Sequence, residues 1–427
     1  MKSLSLALLA LVGSAAAFPV VDNDGSYGPF LERRQTPKGS GAAPKGSGAA
    51  PRPKSGGGNM IAGLVTGMLN SGYGRVPDPA GAAPRVVNLP ARIADIAGSK
   101  TIKLRYGPYK VPNMGHKNAI GEAGALWNYP DQKIDKPCAG ECTILGLNAG
   151  LEYPDGSNAN IDTGMWLHHF VLFNVGPGRQ DATCLNNATS LPHMLIGSSP
   201  KGSERLFSSG NERTPAFMPK WNEKNVGYFL RPADKFAFIV DLMNENMEDK
   251  VVYLTITYDI LNGHPAGYDE MRPVWFDAAQ CLTSEVKAPK QDGQFVITAP
   301  RWTANFDGEV LGAAGHLHDG GDRITLEADG KLACDSKATY GGDPAFINTK
   351  PGMGGGGHHA SATEHISHMS ICAGPSFLVK TVKKGQAWDL KGYYDYDKYK
   401  GMRHEDGAQS NVMGIAIMFV RVKKAVA

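Results

Sequence analysis

VVYLTITY, residues 251–258, is an unbroken run of β-branched, aliphatic and aromatic residues. Such residues favour strands over helices, and a short apolar run of this length is typical of a strand that is buried on both faces. FVLF (170–173) and FAFIV (236–240) are similar, whereas TIKLRY (101–106) alternates polar and apolar residues, as a half-buried strand does. The pattern predicts a series of short core strands.

The segments between these runs are rich in Gly, Pro, Asn and Asp; 53 of the 427 residues are glycine, about 12%, against an average of about 7%. Many short strands joined by turns predict an all-β fold, and the stretch from residue 85 onward is longer than one β-sandwich. We therefore expect two tandem antiparallel β-sandwiches of jelly-roll type. The polar segment KAPKQDG (287–293) divides them into residues 85–286 and 287–427.

The N-terminal residues predict processing rather than folding. Residues 1–17 combine a lysine, a short apolar stretch and three alanines, which is typical of a secretory signal peptide and too short to span a membrane. Residues 18–34 form a candidate propeptide that ends in Arg33-Arg34. Residues 35–84 include PKGSGAA twice in succession, and we expect a disordered low-complexity linker there.

These features predict a secreted, extracellular protein. A net charge of +3 argues against a nucleic-acid partner, and no later stretch is apolar enough for a membrane span. In an oxidising compartment the six cysteines favour disulfides, with Cys138 and Cys142 close enough for a local one. The sequon NAT (187–189) predicts glycosylation of Asn187 on a surface loop.

Each predicted half carries one histidine motif. WLHHFVLF (166–173) contains His168 and His169, which converge on one ion only at a strand end or a bulge, because adjacent residues of a strand point to opposite faces. GHLHDGG (315–321) contains His316 and His318, which a strand places on the same face as a two-imidazole clamp for a metal. The alternative for either motif is a polar face without a ligand.

Met413 lies in the C-terminal apolar run and is a candidate third ligand beside His316 and His318. Soft sulfur together with imidazole favours copper over zinc, although core packing is the alternative role for this methionine. Asp319 and Asp322 are candidates to accept the second ring N–H of a ligating histidine.

The HH pair, the HxH and the methionine of the last strand together resemble the copper type II, ascorbate-dependent monooxygenases, such as peptidylglycine alpha-hydroxylating monooxygenase. GHLHDGG (315–321), with Cys334, Cys372 and VMG (412–414), is also similar to the stress up-regulated nodulin family. The resemblance covers about residues 85–427. It implies two sandwiches, each with its own copper.

For the second half, the resemblance implies an oxygen-binding copper held by His316, His318 and Met413. The family's clamp for a peptide carboxylate is not matched, because Ala314 stands where its arginine would be and Ile417 where its tyrosine would be. We therefore do not expect this protein to recognise a peptide C-terminus in that way.

For the first half, the resemblance implies an electron-donating copper of which His168 and His169 are two of three ligands. Thr257 stands at the position of the third ligand, and its hydroxyl is a poor ligand for Cu(I). Either His193 or His264 substitutes for it, or this site is weaker than the other.

Further histidines lie in loops of the second half. His404 lies in a Gly/Asp-rich loop that could overhang the HxH and add a ligand, and His358-His359 follow a glycine run. Cys334 and Cys372 flank this glycine-rich segment, and we expect them to form a disulfide.

The sequence thus predicts a secreted protein that binds one or two copper ions. The first interpretation is a monooxygenase that hydroxylates a C–H bond of a small-molecule or extracellular substrate with O2 and an ascorbate-like reductant. The second is a non-catalytic extracellular copper-binding or stress-related protein. The third is a structural wall or matrix protein that binds no metal.

Overall fold

A computed structural model describes residues 69–187, 190–217, 225–341, 365–403 and 407–422. The predicted signal peptide, the propeptide and residues 35–68 of the predicted linker lie outside these ranges. So do His358, His359, His404 and two residues of the NAT sequon. Asn187 itself is described and is exposed, and its glycosylation stays a prediction.

The described residues confirm the all-β prediction, with a single one-turn α-helix, α1 (Leu191–Leu195), and two 3-10 turns, Ile161–Thr163 and Gly374–Ser376. The strands are β1 (Gly74–Arg75), β2 (Val86–Leu89), β3 (Lys100–Val111), β4 (Ala125–Ile134), β5 (Cys142–Glu152), β6 (Met165–Val175), β7 (Ser203–Gly210), β8 (Ala216–Phe217), β9 (Val226–Leu230), β10 (Lys235–Asn244), β11 (Lys250–Asn262), β12 (Asp269–Asp277), β13 (Glu285–Val286), β14 (Gln294–Thr298), β15 (Trp302–Thr303), β16 (Gly308–Leu317), β17 (Gly321–Ala328), β18 (Lys331–Tyr340), β19 (Ile366–Met369), β20 (Ile371–Ala373), β21 (Thr381–Val382), β22 (Ala387–Asp395) and β23 (Val412–Val422).

These strands form three sheets. The longest follows the order β1-β3-β11-β5-β9-β12-β23-β16-β20, and two smaller sheets follow β4-β10-β6-β7 and β14-β22-β17-β18-β19. The four-stranded sheet shares one hydrophobic core with the first part of the long sheet, and the six-stranded sheet shares a second core with β12, β16 and β23. The long sheet therefore belongs to both sandwiches.

Strand β23 joins the two cores because both of its faces are covered. Every residue of β23 up to Val420 is buried. Alternate side chains divide between the cores, as the two-residue period of a strand requires. The first core receives Met413, Ile415, Ile417 and Phe419, and the second receives Val412, Ala416, Met418 and Val420.

Hydrogen bonding crosses the predicted division at residues 286/287. β12, in the predicted first half, pairs along its length with β23, from Glu270 opposite Val422 to Asp277 opposite Ile415. The division into domains stays a prediction, but the sheet is continuous across it. In the described part of the chain, no helix is long and apolar enough to cross a membrane.

Part of the predicted linker joins the fold. Asn70 is 2% exposed, and its side chain hydrogen-bonds both the N–H and the carbonyl of Trp127. β1 pairs with β3, so the folded region begins before residue 85. The low apolar content of this stretch does not indicate that it is folded, because Asn70 is held to Trp127 by hydrogen bonds and not by buried hydrocarbon.

Three disulfides form among the six cysteines, Cys138–Cys142, Cys184–Cys281 and Cys334–Cys372. The two pairings predicted from the sequence, Cys138 with Cys142 and Cys334 with Cys372, are confirmed. Each of these two bridges lies within one core. Cys184–Cys281 instead links the segment between β6 and α1 to the loop between β12 and β13.

We predict that the cost of losing a bridge follows the length of the chain that it closes. Cys334–Cys372 spans 38 positions and Cys138–Cys142 spans 4. In the chain-entropy account, Ser at both positions of the longer bridge lowers the free energy of unfolding by about 4 kcal/mol, and at the shorter bridge by about 2 kcal/mol. Guanidinium denaturation of both double variants without reductant measures this difference. Equal losses would contradict the entropic origin of the effect.

Candidate metal centre

A β-bulge places the two adjacent histidines together. In the pairing of β6 with β10, Asp241 lies opposite His169 and Leu242 lies opposite Leu167, so His168 is the extra residue on β6. A bulge re-aims a side chain that would otherwise point to the far face of the sheet. The ring centroids of His168 and His169 are consequently 4.8 Å apart.

The HxH motif of the second half reaches the same place. His316 lies opposite Ile415 of β23, and His318 directly follows the last residue of β16. The ring centroid of His318 is 5.0 Å from that of His168 and 6.0 Å from that of His316. The sequence predicts two separate sites, but the structure brings all four imidazoles together. We call His168, His169, His316 and His318 the histidine cluster.

Three members of the cluster are close enough to share one metal ion. The candidate ligand atoms of His168, His169 and His318 all lie within 4.8 Å of one another. Two imidazole nitrogens that bind the same ion at about 2 Å each lie at most about 4 Å apart. A side-chain movement of less than an ångström therefore brings this trio to bonding distance around one ion.

Each imidazole of the cluster uses one ring nitrogen for a protein acceptor. These bonds fix the orientation of each ring and leave its second nitrogen available. The acceptors are Asp241 Oδ1 for His168 Nδ1 (3.3 Å), Asn128 Oδ1 for His169 Nε2 (3.5 Å), Glu212 Oε1 for His316 Nδ1 (3.0 Å) and the Asn411 carbonyl for His318 Nδ1 (2.8 Å).

The second nitrogens are buried, and none has a hydrogen-bond partner among the described residues. They are His168 Nε2, His169 Nδ1, His316 Nε2 and His318 Nε2. Buried polar atoms in native proteins are nearly always partnered, because an unpaired one costs about 1–3 kcal/mol. Four such atoms in one cluster are what a metal-binding site presents without its ion. The donor set therefore fits a metal that accepts imidazole.

The electrostatic surroundings favour the metal-binding form of two rings. Burial, followed by the neighbouring His168 and His318, holds the pKa of His169 well below its usual value. Burial and the neighbouring His168 and His316 lower the pKa of His318 in the same way. Both imidazoles are thus neutral at pH 7, which is the form that binds a metal.

His168 is the exception. Burial lowers its pKa, but the hydrogen bond that His168 donates to Asp241 and the charge of that carboxylate raise the pKa to about 9. Asp241 Oδ2 also lies 3.7 Å from His169 Nε2. One buried carboxylate therefore supports both histidines of the bulge and supplies negative charge next to the place where a cation would bind.

Gly210 permits the approach of the two halves. It lies opposite His169 in the pairing of β7 with β6. A Cβ at this position would lie 2.8 Å from His316 Cε1, 2.7 Å from Glu212 Oε2 and 2.9 Å from the His168 carbonyl oxygen. Real Cβ atoms do not approach so closely, so only glycine lets His316 of the second half reach the bulge of the first.

Met413 lies beside the cluster on the same face of β23 as Ile415. It is fully buried and, with His169 and Asn128, lines a cavity of about 30 Å³. The Tyr394 hydroxyl donates to the Met413 carbonyl (2.7 Å) and accepts from the His318 N–H (3.2 Å), which ties the two backbones together. Coordination by the Met413 sulfur stays a prediction.

The substitutes predicted for a third ligand of the first half are engaged elsewhere. His193 is fully buried, with Nδ1 2.7 Å from Ser190 Oγ and Nε2 3.4 Å from Asp181. His264 Nε2 donates to the Leu230 carbonyl (2.9 Å), and its ring stacks on that of Phe229. Thr257 lies in β11 of the long sheet, whereas the bulge is in the four-stranded sheet. The third imidazole beside this pair is that of His318, from the second half.

The sequence also assigns the supporting carboxylates to the wrong residues. Asp319 accepts from His365 Nδ1 (2.6 Å) and from the Ile366 N–H (2.9 Å), and Asp322 lies 3.4 Å from Lys398 Nζ. The residues that support the cluster are distant from the motifs along the chain. Glu212, for example, is 104 positions from His316, and no local pattern marks it.

Comparison with solved structures adds little. Peptide N-glycanase F from Flavobacterium meningosepticum aligns over 77% of this chain and 97% of its own with 10% identity and a TM-score of 0.33, and a value so low supports no conclusion. No family model matches the chain, so the resemblance to the stress up-regulated nodulin family stays a prediction.

Curated sequences give a clearer relationship. Probable copper-dependent oxygenase M1 of Phoma sp. is 29% identical over 320 residues, which cover 74% of this chain and 72% of that protein. Probable copper-dependent oxygenase clz3 of Cochliobolus lunatus is 30% identical over 276 residues, which cover 64% of this chain and 78% of that protein. This chain therefore belongs to the same family as the probable copper-dependent oxygenases M1 and clz3.

Proposed function

We propose that this protein is a secreted copper-dependent monooxygenase with one copper centre per chain, built from both halves. His168, His169 and His318 hold the ion, and His316 stands beside them as a further ligand. The observation that carries this proposal is the convergence of four buried imidazole nitrogens that lack partners among the described residues. The names of the two relatives support copper as the metal.

The overall reaction is the insertion of one oxygen atom into a C–H bond. O2, two electrons and two protons yield the hydroxylated product and one water, and an ascorbate-like reductant supplies both electrons. Copper, when bound, supplies a one-electron redox couple and a site for oxygen. The secretory signal and this reductant are parts of the proposal, and three disulfides are compatible with an extracellular location.

The chain's own residues prepare the site in three ways. Asp241, Glu212 and the Asn411 carbonyl orient the imidazoles, so little rearrangement is needed when the ion binds. Burial excludes water from the rings. The negative charges of Asp241 and Glu212 partly offset the charge of the metal, because interactions between charges are stronger in a buried site.

A copper-binding protein without turnover is the second candidate. This candidate is supported by the burial of the cluster, which limits the access of a substrate. The side chains of His168 and His316 are only 14% and 12% exposed. Oxygen consumption by the copper-loaded protein with ascorbate separates the two candidates. Consumption well above that of free copper with ascorbate supports the oxygenase, and copper-loaded protein without consumption supports the binding protein.

We predict that His168→Ala and His318→Ala each remove nearly all of the copper, because the two residues belong to one centre. The measurement is copper per chain by elemental analysis after dialysis. His264→Ala, a histidine outside the cluster, is the matched control and should retain the wild-type content. If the wild type holds two ions and each variant keeps one, two separate sites exist and the single centre is wrong.

We also predict that copper binding releases about one proton at pH 7. The pKa of His168, raised to about 9, means that this ring is protonated in the metal-free protein at pH 7 and must lose its proton to bind. The release falls toward zero at pH 10, and the apparent affinity rises by up to about tenfold per pH unit between 7 and 9. Calorimetry in buffers of different ionisation enthalpy measures the protons. Binding without proton release at pH 7 would show that Asp241 does not hold His168 charged.

A further inference from the structure

A small cavity opens directly beside His316. It has a volume of about 40 Å³ and lies between the end of β7 and the strands β16 and β23. Most of its lining is hydrocarbon, from Phe207, Ala216, Ile415, Ile417 and Phe419. It is distinct from the cavity at Met413, although Ile415 and Ser208 border both.

The volume limits what the cavity can accept. One water occupies about 10–15 Å³ by this measure, so the cavity holds roughly three heavy atoms. That is the end of a chain rather than a whole substrate. A ligand that fills it would bring its terminal carbons next to the ring of His316.

In the metal-free protein, the charged residues of the cavity wall disfavour an anion. Glu212 is the carboxylate in its wall, and neither lysine nor arginine is among the described residues that line it. Ala314 and Ile417, which lie opposite each other in the pairing of β16 with β23, both face the cavity. A carboxylate in the cavity of the metal-free protein would lie near Glu212 with no lysine or arginine among the described lining residues to balance it.

One polar group in the cavity wall has no hydrogen-bond partner among the described residues. Thr214 is 8% exposed and lines the cavity, and its buried Oγ1 has no hydrogen-bond partner among the described residues. A buried hydroxyl in this state costs free energy unless a ligand or a water completes it. The hydroxyl can donate to an uncharged oxygen of a ligand.

We propose that this cavity binds the uncharged end of the substrate, an apolar chain that carries one hydroxyl or carbonyl oxygen for Thr214. This inference rests on the proposed function for the statement that the ligand is a substrate. The binding site itself rests on the cavity, on the carboxylate of Glu212 and on the unpartnered hydroxyl. The chain's terminal carbons would then be presented to the histidine cluster.

The test compares 1-propanol with propionate, which have the same chain length but differ in charge. Saturation-transfer NMR on the metal-free full-length protein should show contact for 1-propanol and none for propionate. Thr214→Val should weaken 1-propanol binding by roughly fivefold, the effect of one lost hydrogen bond. Thr325→Val is the matched control, because Thr325 is 6% exposed and its Oγ1 also lacks a partner in the described part of the chain, but it lies in β17.

A second variant keeps the test informative if Thr214→Val does not fold. Ala314→Val fills the cavity and should abolish 1-propanol contact. Propionate contact equal to that of 1-propanol, or 1-propanol contact that survives Ala314→Val, would overturn the proposal.

Cu(II) loading separates this inference from the proposed function. In the copper-loaded protein, the relaxation of the 1-propanol methyl protons should accelerate in the wild type and much less in Ala314→Val. Copper bound without this acceleration overturns the cavity as a substrate site and leaves the metal centre intact. Contact with 1-propanol in a protein that retains no copper overturns the proposed function and leaves the binding site.

Discussion

The burial of β23 on both faces is the constraint on which the rest of this structure depends. A strand with two covered faces must carry apolar side chains at nearly every position, and β23 does so up to Val420. Because its alternate residues enter different cores, the two sandwiches cannot separate without exposing one of these faces. β16 is hydrogen-bonded along β23, with His316 opposite Ile415, a residue that faces the first core. This pairing brings the HxH motif to the bulge of β6.

Bringing the histidines of the two halves together costs free energy when no ligand is bound. Four imidazole nitrogens lose water and find no protein partner among the described residues. The fold tolerates this because each ring is held at its other nitrogen and because the surrounding hydrocarbon is well buried. Any ion that binds only the folded chain stabilises it through that binding, so folding and metal affinity are linked here. Two cavities border the cluster, one at His316 and one at His169.

Much of this could be predicted from the sequence. Short apolar runs such as 251–258 predict core strands, and the HH pair predicts a strand end or a bulge if both side chains converge on one ion. The structure confirms the strands and shows a bulge at the HH pair. The disulfide between Cys334 and Cys372 followed from its position around the glycine-rich segment and is also confirmed.

What the sequence could not predict is long-range geometry. Nothing near His168 indicates that His318 completes its surroundings, and the resemblance to two-copper enzymes argued for separate sites. Glu212, Asp241 and Asn411 carry no motif, and their roles depend on how the sheets meet. The role of Gly210 could not be predicted either, because a side chain there would collide with His316, a residue of the other sandwich.

The order of synthesis gives this arrangement a temporal consequence. The carbonyl that holds His318 belongs to Asn411, 93 positions later in the chain. At about 5–20 residues per second, a ribosome needs roughly 5 to 20 s to cover that distance. Throughout this interval the strand that lies between β12 and β16 in the folded sheet does not yet exist, so each of them lacks one partner. All four imidazoles of the cluster are already present, but the acceptor of His318 Nδ1 and the strand that covers both sheet edges are made together at the end of synthesis.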